Sequence, residues 1–371
     1  MFETRHPLTL TEKLARVHWA VLALAGGLAA IGAATLVSVS GGSFSPWAER
    51  HTLRCVAGLA IVVAFALVPV RVWMGLAGPV YLAALALLLA VPFAGVEALG
   101  ARRWLNIGGV SIQPSEIMKV ALVLILARFY AALPPQSVSR LQWVAVPLIL
   151  IAVPVALTIR QPDLGTAMLF AGLGLGIMFL AGTSLWYFAG GGVAAVLALP
   201  IAASRLQDYQ RRRIEIFLDP GQDPQGAGYH ITQAKIALGN GGMSGQGYLQ
   251  GTQSQLDFIP EKMTDFIFVI IGEEWGFVGT VTVLVLFAAL IGLLFAMALQ
   301  SRSTFGRLLI AGAALSLSIY VVINVAMVTG LVPVVGVPLP LISYGGTSMM
   351  TLMVALGLAM SAHVHRGQER R

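Results

Sequence analysis

The sequence predicts an all-α polytopic integral membrane protein of about ten transmembrane helices, and three observations carry that prediction. Of 371 residues, 57% are hydrophobic and only 11% are charged, whereas a soluble domain carries about 25% charged residues. The mean hydropathy is +0.84, so there is too little polar surface to cover a water-facing globule. Apolar runs of about 20 residues, the length a helix needs to cross a bilayer, recur along most of the chain.

The spans follow from reading apolar runs against charged or Pro/Gly-rich breaks. The first, 19–39, follows a polar start containing Arg5, Lys13 and Arg16. Both the start and the run are too long for a cleaved signal peptide, so it reads as a retained span. Spans 52–70 and 74–94 are parted at Arg71. The fourth, 113–133, opens on Pro114 and Ser115, ordinary helix-start residues. Spans 143–159 and 164–182 meet at a tight Pro162–Asp163 turn, and only Gly182, Thr183 and Ser184 separate the sixth span from the seventh, 185–203. A long segment, 204–264, precedes the eighth span, 265–294. Arg302 and Arg307 mark the break before 305–329, and a loop from Pro333 to Ser348 overlaps the start of the tenth span, 340–363. Residues 1–371 read as one membrane domain, with no internal repeat and no low-complexity tail.

Ten spans put both termini on one side. The short loops of that side, with residues such as Arg71, Arg128, Arg140, Arg366, Arg370 and Arg371, hold more Lys and Arg than the short loops opposite. Opposite, much of the charge (Arg205, Arg211, Arg212, Arg213, Lys235, Lys262) lies in the 204–264 loop, and short loops decide orientation. Both termini are therefore expected in the cytoplasm and the long loop outside. A compact membrane protein seldom keeps so long a loop without a use for it, so chemistry is sought there first.

Other classes fall away. A transmembrane barrel would show short alternating strands rather than continuous Leu- and Ala-rich runs. Cys55 is the single cysteine, which rules out an internal disulfide or a cysteine metal cluster. The net charge of +7 comes from basic residues set between hydrophobic runs, so membrane lipids or a lipid-linked phosphate suit it better than nucleic acid.

Ionisable groups at membrane depth are expensive and mark function by default. Asp265 sits at the mouth of the eighth span beside Phe266 and Phe268. Partial desolvation would raise its pKa and suit a general base; capping of the helix by Thr264 or Asp265 is the equally open alternative. Glu116 and Lys119 are three apart on one helix face and can pair, either as a structural ion pair or as a pair that orients Asp265 or a substrate phosphate. Asp163 reads first as a helix cap. Arg102, Arg103 and Arg160 could grip a pyrophosphate bidentately or snorkel to headgroups. The run Gly239 to Gly251 superficially suggests a phosphate cradle, but it lacks the Gly-Lys-Ser/Thr ending and follows no strand. Between the arginines and that run, Tyr229 to Leu238 fits a short amphipathic helix lying on the bilayer surface, with Ile231, Ala234 and Leu238 inward and Lys235 outward. His230 reads as structural. The prolines and glycines from Pro333 to Ser348 imply a broken or re-entrant segment, in which Ser343, Tyr344, Thr347 and Ser348 offer hydrogen-bonding groups. Gly172 and Gly176 form a close-packing face.

Five stretches, in order, carry a family resemblance: Arg102–Gly109 with Gln113–Lys119; Gln161–Thr166; Gly251–Leu256 running into Pro260–Phe268; Gly272–Glu274; and Pro338–Thr347. Together they resemble the SEDS family over nearly the whole chain. Gly251–Gln255 and the stretch from Asp219–Pro220 to Tyr229–His230 are similar to the elongation branch rather than the division branch. Met263 departs from the pattern, which commonly has histidine there.

The resemblance implies a peptidoglycan glycosyltransferase that polymerises lipid II into β-1,4 glycan during lateral cell-wall elongation. It implies Asp265 as the essential aspartate and general base and Glu116–Lys119 as the associated ion pair; Arg102, Arg103, Arg160, Asp163, Lys262, Ser343 and Thr347 are the candidates for binding substrate or pyrophosphate. It further implies the bacterial inner membrane, an outward-facing active site and, within the elongation machinery, a class B penicillin-binding protein as transpeptidase partner. No metal ligands are assigned, and the resemblance leaves open whether a divalent cation, Mg²⁺ or Mn²⁺, assists the pyrophosphate. A lipid II flippase is the competing class, to which ten helices around a polar cavity are also suited; the position of Asp265 at one face, rather than at the midplane, argues against it.

Overall fold

The computed structural model describes residues 8–98, 101–204, 208–223, 226–256, 258–259 and 261–367. Arg5, Arg205, Pro260, Arg370 and Arg371, all used in reading the sequence, lie outside them. The helices are α1 (Leu10–Ala15), α2 (Trp19–Val39), α3 (Trp47–Leu67), α4 (Val70–Ala94), α5 (Pro114–Ala131), α6 (Leu141–Arg160), α7 (Leu164–Leu180), α8 (Leu185–Ser204), α9 (Asp208–Leu218), α10 (Ala227–Asn240), α11 (Thr252–Gln255), α12 (Ile267–Gln300), α13 (Thr304–Val328) and α14 (Gly346–Val364).

Among the described residues, ten of these helices fall on the ten expected spans. Seven, namely α2, α3, α4, α6, α12, α13 and α14, are long and apolar enough to cross a membrane by length and composition. Of the other three, α5 carries Glu116, Lys119 and Arg128 and α7 is 17 residues long, while α8 is apolar from Leu185 through Pro200. The chain ends meet at one face of the bundle, as an even number of crossings requires. There the His18 and His363 rings are 5.6 Å apart and Lys13 Nζ donates to the Leu67 carbonyl at 2.7 Å. This is called the terminal face below, and the opposite one the distal face.

Three strands interrupt the all-helical pattern at the distal face: β1 (Val96–Ala98), β2 (Ala101–Ile107) and β3 (Val110–Ile112), paired antiparallel in that order. Ile107 opposes Val110 across Gly108 and Gly109, at φ 60° and 83°. That two-residue loop needs positive φ at both positions, which glycine supplies. The tenth span begins at Gly346 rather than at 340. Pro338 and Pro340 lack donors for a helix, and Leu341 is held at φ 66°, outside helical geometry. The stretch from 331 to 345 is accordingly a broken segment, as the prolines implied. Gly172 and Gly176 face Ile319 and Leu315 of α13.

The 204–264 segment is tied to α12 by its backbone. At Gly276 (φ 65°) α12 breaks, which leaves carbonyls before the break and amides after it without helical partners. The Gly241–Gly247 turn supplies both sets. Gln246 N donates to Glu273 O at 2.9 Å and Gly247 N to Glu274 O at 3.0 Å, while Phe277 N and Val278 N donate to Gly242 O and Met243 O at 2.9 and 3.1 Å. Inside a bilayer such groups have no water to turn to. The two backbones approach so closely that a Cβ on Gly245 (φ 82°) would stand 2.0 Å from the Glu274 carbonyl oxygen. The glycine-rich run is therefore a splice for a broken helix, which explains its composition without a phosphate.

Side chains reinforce the splice. The Glu273 carboxylate accepts from Gln253 N (2.7 Å), Ser254 N (3.2 Å) and Thr252 Oγ1 (3.2 Å), capping α11. The Ser38 hydroxyl donates to Glu274. Helix α10 presents buried Ile231, Ala234 and Ala237 to α12, with Lys235 exposed. That is the expected amphipathic face, turned toward protein.

Gly245→Val is expected to destabilise the protein by about 3 kcal/mol or more, since it adds a clash at positive φ to the loss of the splice. Gly239→Ala, where a Cβ meets nothing within 4 Å, is expected to be neutral or slightly stabilising. Thermal unfolding of the two variants in detergent checks both.

Candidate functional site

The buried ion pair comes first. Glu116 and Lys119 lie on the first turns of α5, 6% and 4% exposed, with Lys119 Nζ 2.7 Å from Glu116 Oε1. A third group completes them. The Tyr320 hydroxyl, from α13, donates to both carboxylate oxygens at 3.0 and 3.1 Å, and Lys119 Nζ sits 4.4 Å from the centre of the Tyr320 ring. Two charges taken out of water stay tolerable only when hydrogen bonds and opposite charge satisfy them, and this trio does so.

One turn further along α13 stands Asn324, wholly buried. Its Nδ2 donates to the main-chain carbonyl of Asp265 at 2.8 Å and to that of Val337 at 2.7 Å. The residues beside Asp265 are fixed in the same way. Ser343 Oγ donates to Thr264 O at 2.5 Å, and Tyr344 N donates to Met263 O at 2.8 Å. Thus 263–265 lies along the broken segment 337–344, held by backbone and buried polar side chains. Met263 contributes its carbonyl to this contact, which any residue could do.

Asp265 is half-buried in the turn before α12. Its Oδ2 lies 3.5 Å from where a Cβ on Gly336 would be. Burial, and then the charge of nearby Glu261, push its carboxyl up to about 6, against a smaller opposing effect of the Thr264 hydroxyl. Thr264 also donates to the Glu261 carboxylate at 2.8 Å. The carboxyl therefore changes charge close to neutral pH.

Beside this segment opens a cavity of about 930 Å³, mostly apolar, bounded by α3, α4, the β2–β3 hairpin, α5 and α14. Phe65, Trp73 and Leu358 line it toward the terminal face, and Trp104, Ser111 and Thr347 toward the distal face. At its distal rim the Arg54 guanidinium lies 4.8 Å from the centre of the Tyr344 ring, which Trp47 meets edge-on at 4.9 Å. A second, much smaller space of about 30 Å³ lies between Glu116, Lys119, Tyr320, Pro338 and Ser348.

The remaining sequence candidates divide. Arg103 and Asp163 come together at 3.7 Å, and Arg103 Nη2 donates to Pro162 O at 2.5 Å. Asp163 also accepts from Thr166 N (3.2 Å) and Thr166 Oγ1 (2.9 Å), so it caps α7 as expected. This cluster neighbours Asp265, because Gly165 of α7 packs against Val335, next to Gly336. Thr347 lines the large cavity. Arg102 and Arg160 are exposed at the distal ends of β2 and α6. Lys262 is buried and donates to Ser254 O at 2.6 Å, inside the spliced loop. The Ser343 hydroxyl is engaged by the main chain on both sides.

Sequence reasoning did not single out Tyr320, Asn324 or Arg54. Their signal was present all the same: each is a polar side chain inside an apolar run, where such groups need a reason. Among the described residues no three His, Cys, Asp or Glu side chains come together.

The same arrangement has known counterparts. The chain is 47% identical over 322 residues to the peptidoglycan glycosyltransferase MrdB of Escherichia coli (strain K12), a match covering 86% of each chain. Its fold is similar to a chain solved under the description "Structural coordination of polymerization and crosslinking by a peptidoglycan synthase complex", with a TM-score of 0.82 and 33% identity over 95% of this chain and 99% of that one. The rod shape determining protein RodA of Thermus thermophilus is similar at a TM-score of 0.71 and 29% identity, over 95% and 98%. The FtsW/RodA/SpoVE cell cycle protein pattern spans residues 13–368, from α1 past the end of α14. A match of that extent takes in the buried pair, the spliced helix and the broken segment at once, and the chain belongs to the FtsW/RodA/SpoVE family of cell cycle proteins.

Proposed function

We propose that Asp265 is the general base with which this multi-pass membrane protein, a peptidoglycan glycosyltransferase, joins lipid II units into glycan. One observation carries the assignment: a half-buried carboxyl pushed up to about 6 stands on a rigidly held turn beside the rim of a membrane-embedded apolar cavity. In the proposed step the Asp265 carboxylate takes the proton of the acceptor's GlcNAc 4-hydroxyl. The freed oxygen attacks the MurNAc anomeric carbon of the donor from the face opposite its leaving group. The bond to undecaprenyl pyrophosphate breaks, and the leaving oxygen departs with the bonding pair. A single displacement converts the α-linked lipid to a β-1,4 linkage.

The about 930 Å³ cavity suits the polyprenyl chain, because its wall offers Phe65, Trp73, Ile117, Val120 and Leu124 to hydrocarbon. Its cationic rim residue Arg54 and the exposed Arg102 and Arg160 suit the pyrophosphate, and Arg103 lies against Asp163. Glu116, Lys119 and Tyr320 act as support for α13 and the turn it holds.

The reading takes residues 1–371 as one domain in the inner membrane. It has both termini in the cytoplasm and the distal face, with 204–264 and Asp265, outside. Unequal basic charge in the short loops supports that orientation. A class B penicillin-binding protein is the proposed partner, since a chain of similar fold belongs to a peptidoglycan synthase complex.

Asp265→Asn is expected to lower polymerisation of purified lipid II, assayed with the partner present, by about 10²–10⁴-fold. In the wild type the rate should rise with pH through about 6, because the base acts only when deprotonated. Stability runs the opposite way. A carboxyl raised above its unfolded value stabilises most at low pH, and that contribution is lost as pH rises through about 6. Asp265→Asn should therefore raise the melting temperature at pH 8 and leave it unchanged near pH 4. Full polymerisation by the variant would overturn the assignment.

Glu116→Gln leaves a buried ammonium without its counter-charge and should cost about 3–5 kcal/mol. Adding Lys119→Met should restore most of that stability, and the activity with it. Thermal unfolding and polymerisation assays on the single and double variants check this.

A further inference from the structure

We propose that Asn324 is a positioning residue for the reaction: its amide fork fixes the main chain of Asp265 against the broken segment and so aims the carboxylate. The inference rests on Asp265 being the base and extends that reading to a residue on another helix.

The geometry is specific to an asparagine. One nitrogen, Nδ2, carries two protons, and each goes to a carbonyl of a different segment: Asp265 O at 2.8 Å and Val337 O at 2.7 Å. Aspartate has the shape without the donors, leucine the volume without polarity, and glutamine places its amide one carbon further out. The amide is wholly buried, and its Oδ1 has no hydrogen-bond partner among the described residues. A buried unpartnered acceptor is a standing cost. The site retains it, which points to a requirement for the double donor that packing alone does not impose.

The placement matters because this contact comes from α13. Asp265 is followed by buried Phe266 and then α12, and its neighbours are held through Thr264 O and Met263 O by residues of the broken segment. Asn324 ties the Asp265 carbonyl to a helix of the bundle core. Four residues earlier on the same face, Tyr320 grips Glu116. Helix α13 thus carries the partner of the buried pair at one turn and that of the base at the next, about 6 Å apart along its axis. An effect of Glu116 on the reaction has a short physical route through these two side chains.

The test uses the full chain with its partner, purified lipid II, and three variants: Asn324→Ala, Asn324→Leu and Asp265→Asn. Asn324→Ala removes both donors, and Asn324→Leu removes them while keeping the side-chain volume and adding no charge. Both should lower kcat by about 10–100-fold, as expected for a reacting group displaced by about 1 Å, with KM within about twofold. They should also shift the acid limb of the pH–rate profile downward, because a loosened turn exposes the carboxyl to water. The charged groups around Asp265 are Glu261, Lys262, which is turned to Ser254 O, and the Arg103–Asp163 pair across Gly336, and the substitutions touch none of them. None accounts for such a shift.

Folded variants with wild-type kcat and an unmoved acid limb would overturn the proposal. So would a loss of kcat that follows falling melting temperature with the acid limb in place, or failure of both Asn324 variants to accumulate folded; either outcome makes Asn324 a packing residue. A fully active Asp265→Asn would sink the underlying base assignment instead, so the two failures are told apart.

Discussion

A polar group at membrane depth must find its partner within the protein, and each unusual feature of this molecule follows from that requirement. Water would relieve a broken helix, a charged pair or a lone amide in a soluble protein. Here each is relieved by another part of the chain, and the partners chosen are what fix the geometry of the distal face. The break at Gly276 recruits the Gly241–Gly247 turn. The Glu116–Lys119 pair recruits Tyr320. The amide of Asn324 recruits the carbonyls of Asp265 and Val337. Satisfaction of polar groups, rather than apolar packing, decides which loops are rigid.

That rule accounts for how a turn in a loop can be held as firmly as a helix. Residues 263–265 have no regular secondary structure of their own, yet three successive carbonyls accept from Tyr344 N, Ser343 Oγ and Asn324 Nδ2. A base for sugar chemistry needs this combination of fixed position and partial burial. Position sets the attack geometry, and burial brings the carboxyl into the range where it can hold and release a proton near neutral pH. The same burial works against stability once the carboxyl is charged, a familiar conflict between a poised site and a stable fold.

In the proposed reaction the cavity meets a second requirement, a place for a lipid tail. It is open along α3, α4, α5 and α14, and its polar groups gather at the distal rim, where Arg54, Trp104 and Tyr344 meet. A lipid-linked sugar would keep its hydrocarbon in the apolar part and present its pyrophosphate at the rim. The broken segment supplies both Tyr344 at that rim and the contacts that hold Asp265. Its prolines and the positive φ of Leu341 therefore serve the site by keeping the chain out of a helix where a helix would close it.

Much of this was legible in the sequence. Continuous apolar runs located ten helices of the bundle, seven of them long and apolar enough to cross a membrane, because an unpaired backbone in lipid leaves helices as the solution. Asp265, Glu116 and Lys119 stood out because charges are rare at that depth, and spacing alone paired the last two. The prolines of 333–340 announced a broken segment. The β2–β3 hairpin was announced as well, by Gly108–Gly109 between alternating residues, but an all-helical expectation passes over so short a signal. What the tertiary structure alone decided was partnership. The glycine-rich run could have cradled a phosphate or spliced a helix, and only the position of the Gly276 break, far along the chain, chose between them. Lys262 looked like an anion ligand until its reach to Ser254 O was seen. Tyr320 and Asn324 look alike in the sequence, two polar residues one turn apart in an apolar helix. Their partners lie far away in sequence and become neighbours only when α13 packs between α5 and the turn before α12. Local sequence specifies which groups need a partner; the fold determines which group answers, because the contact depends on distances that no stretch of sequence contains.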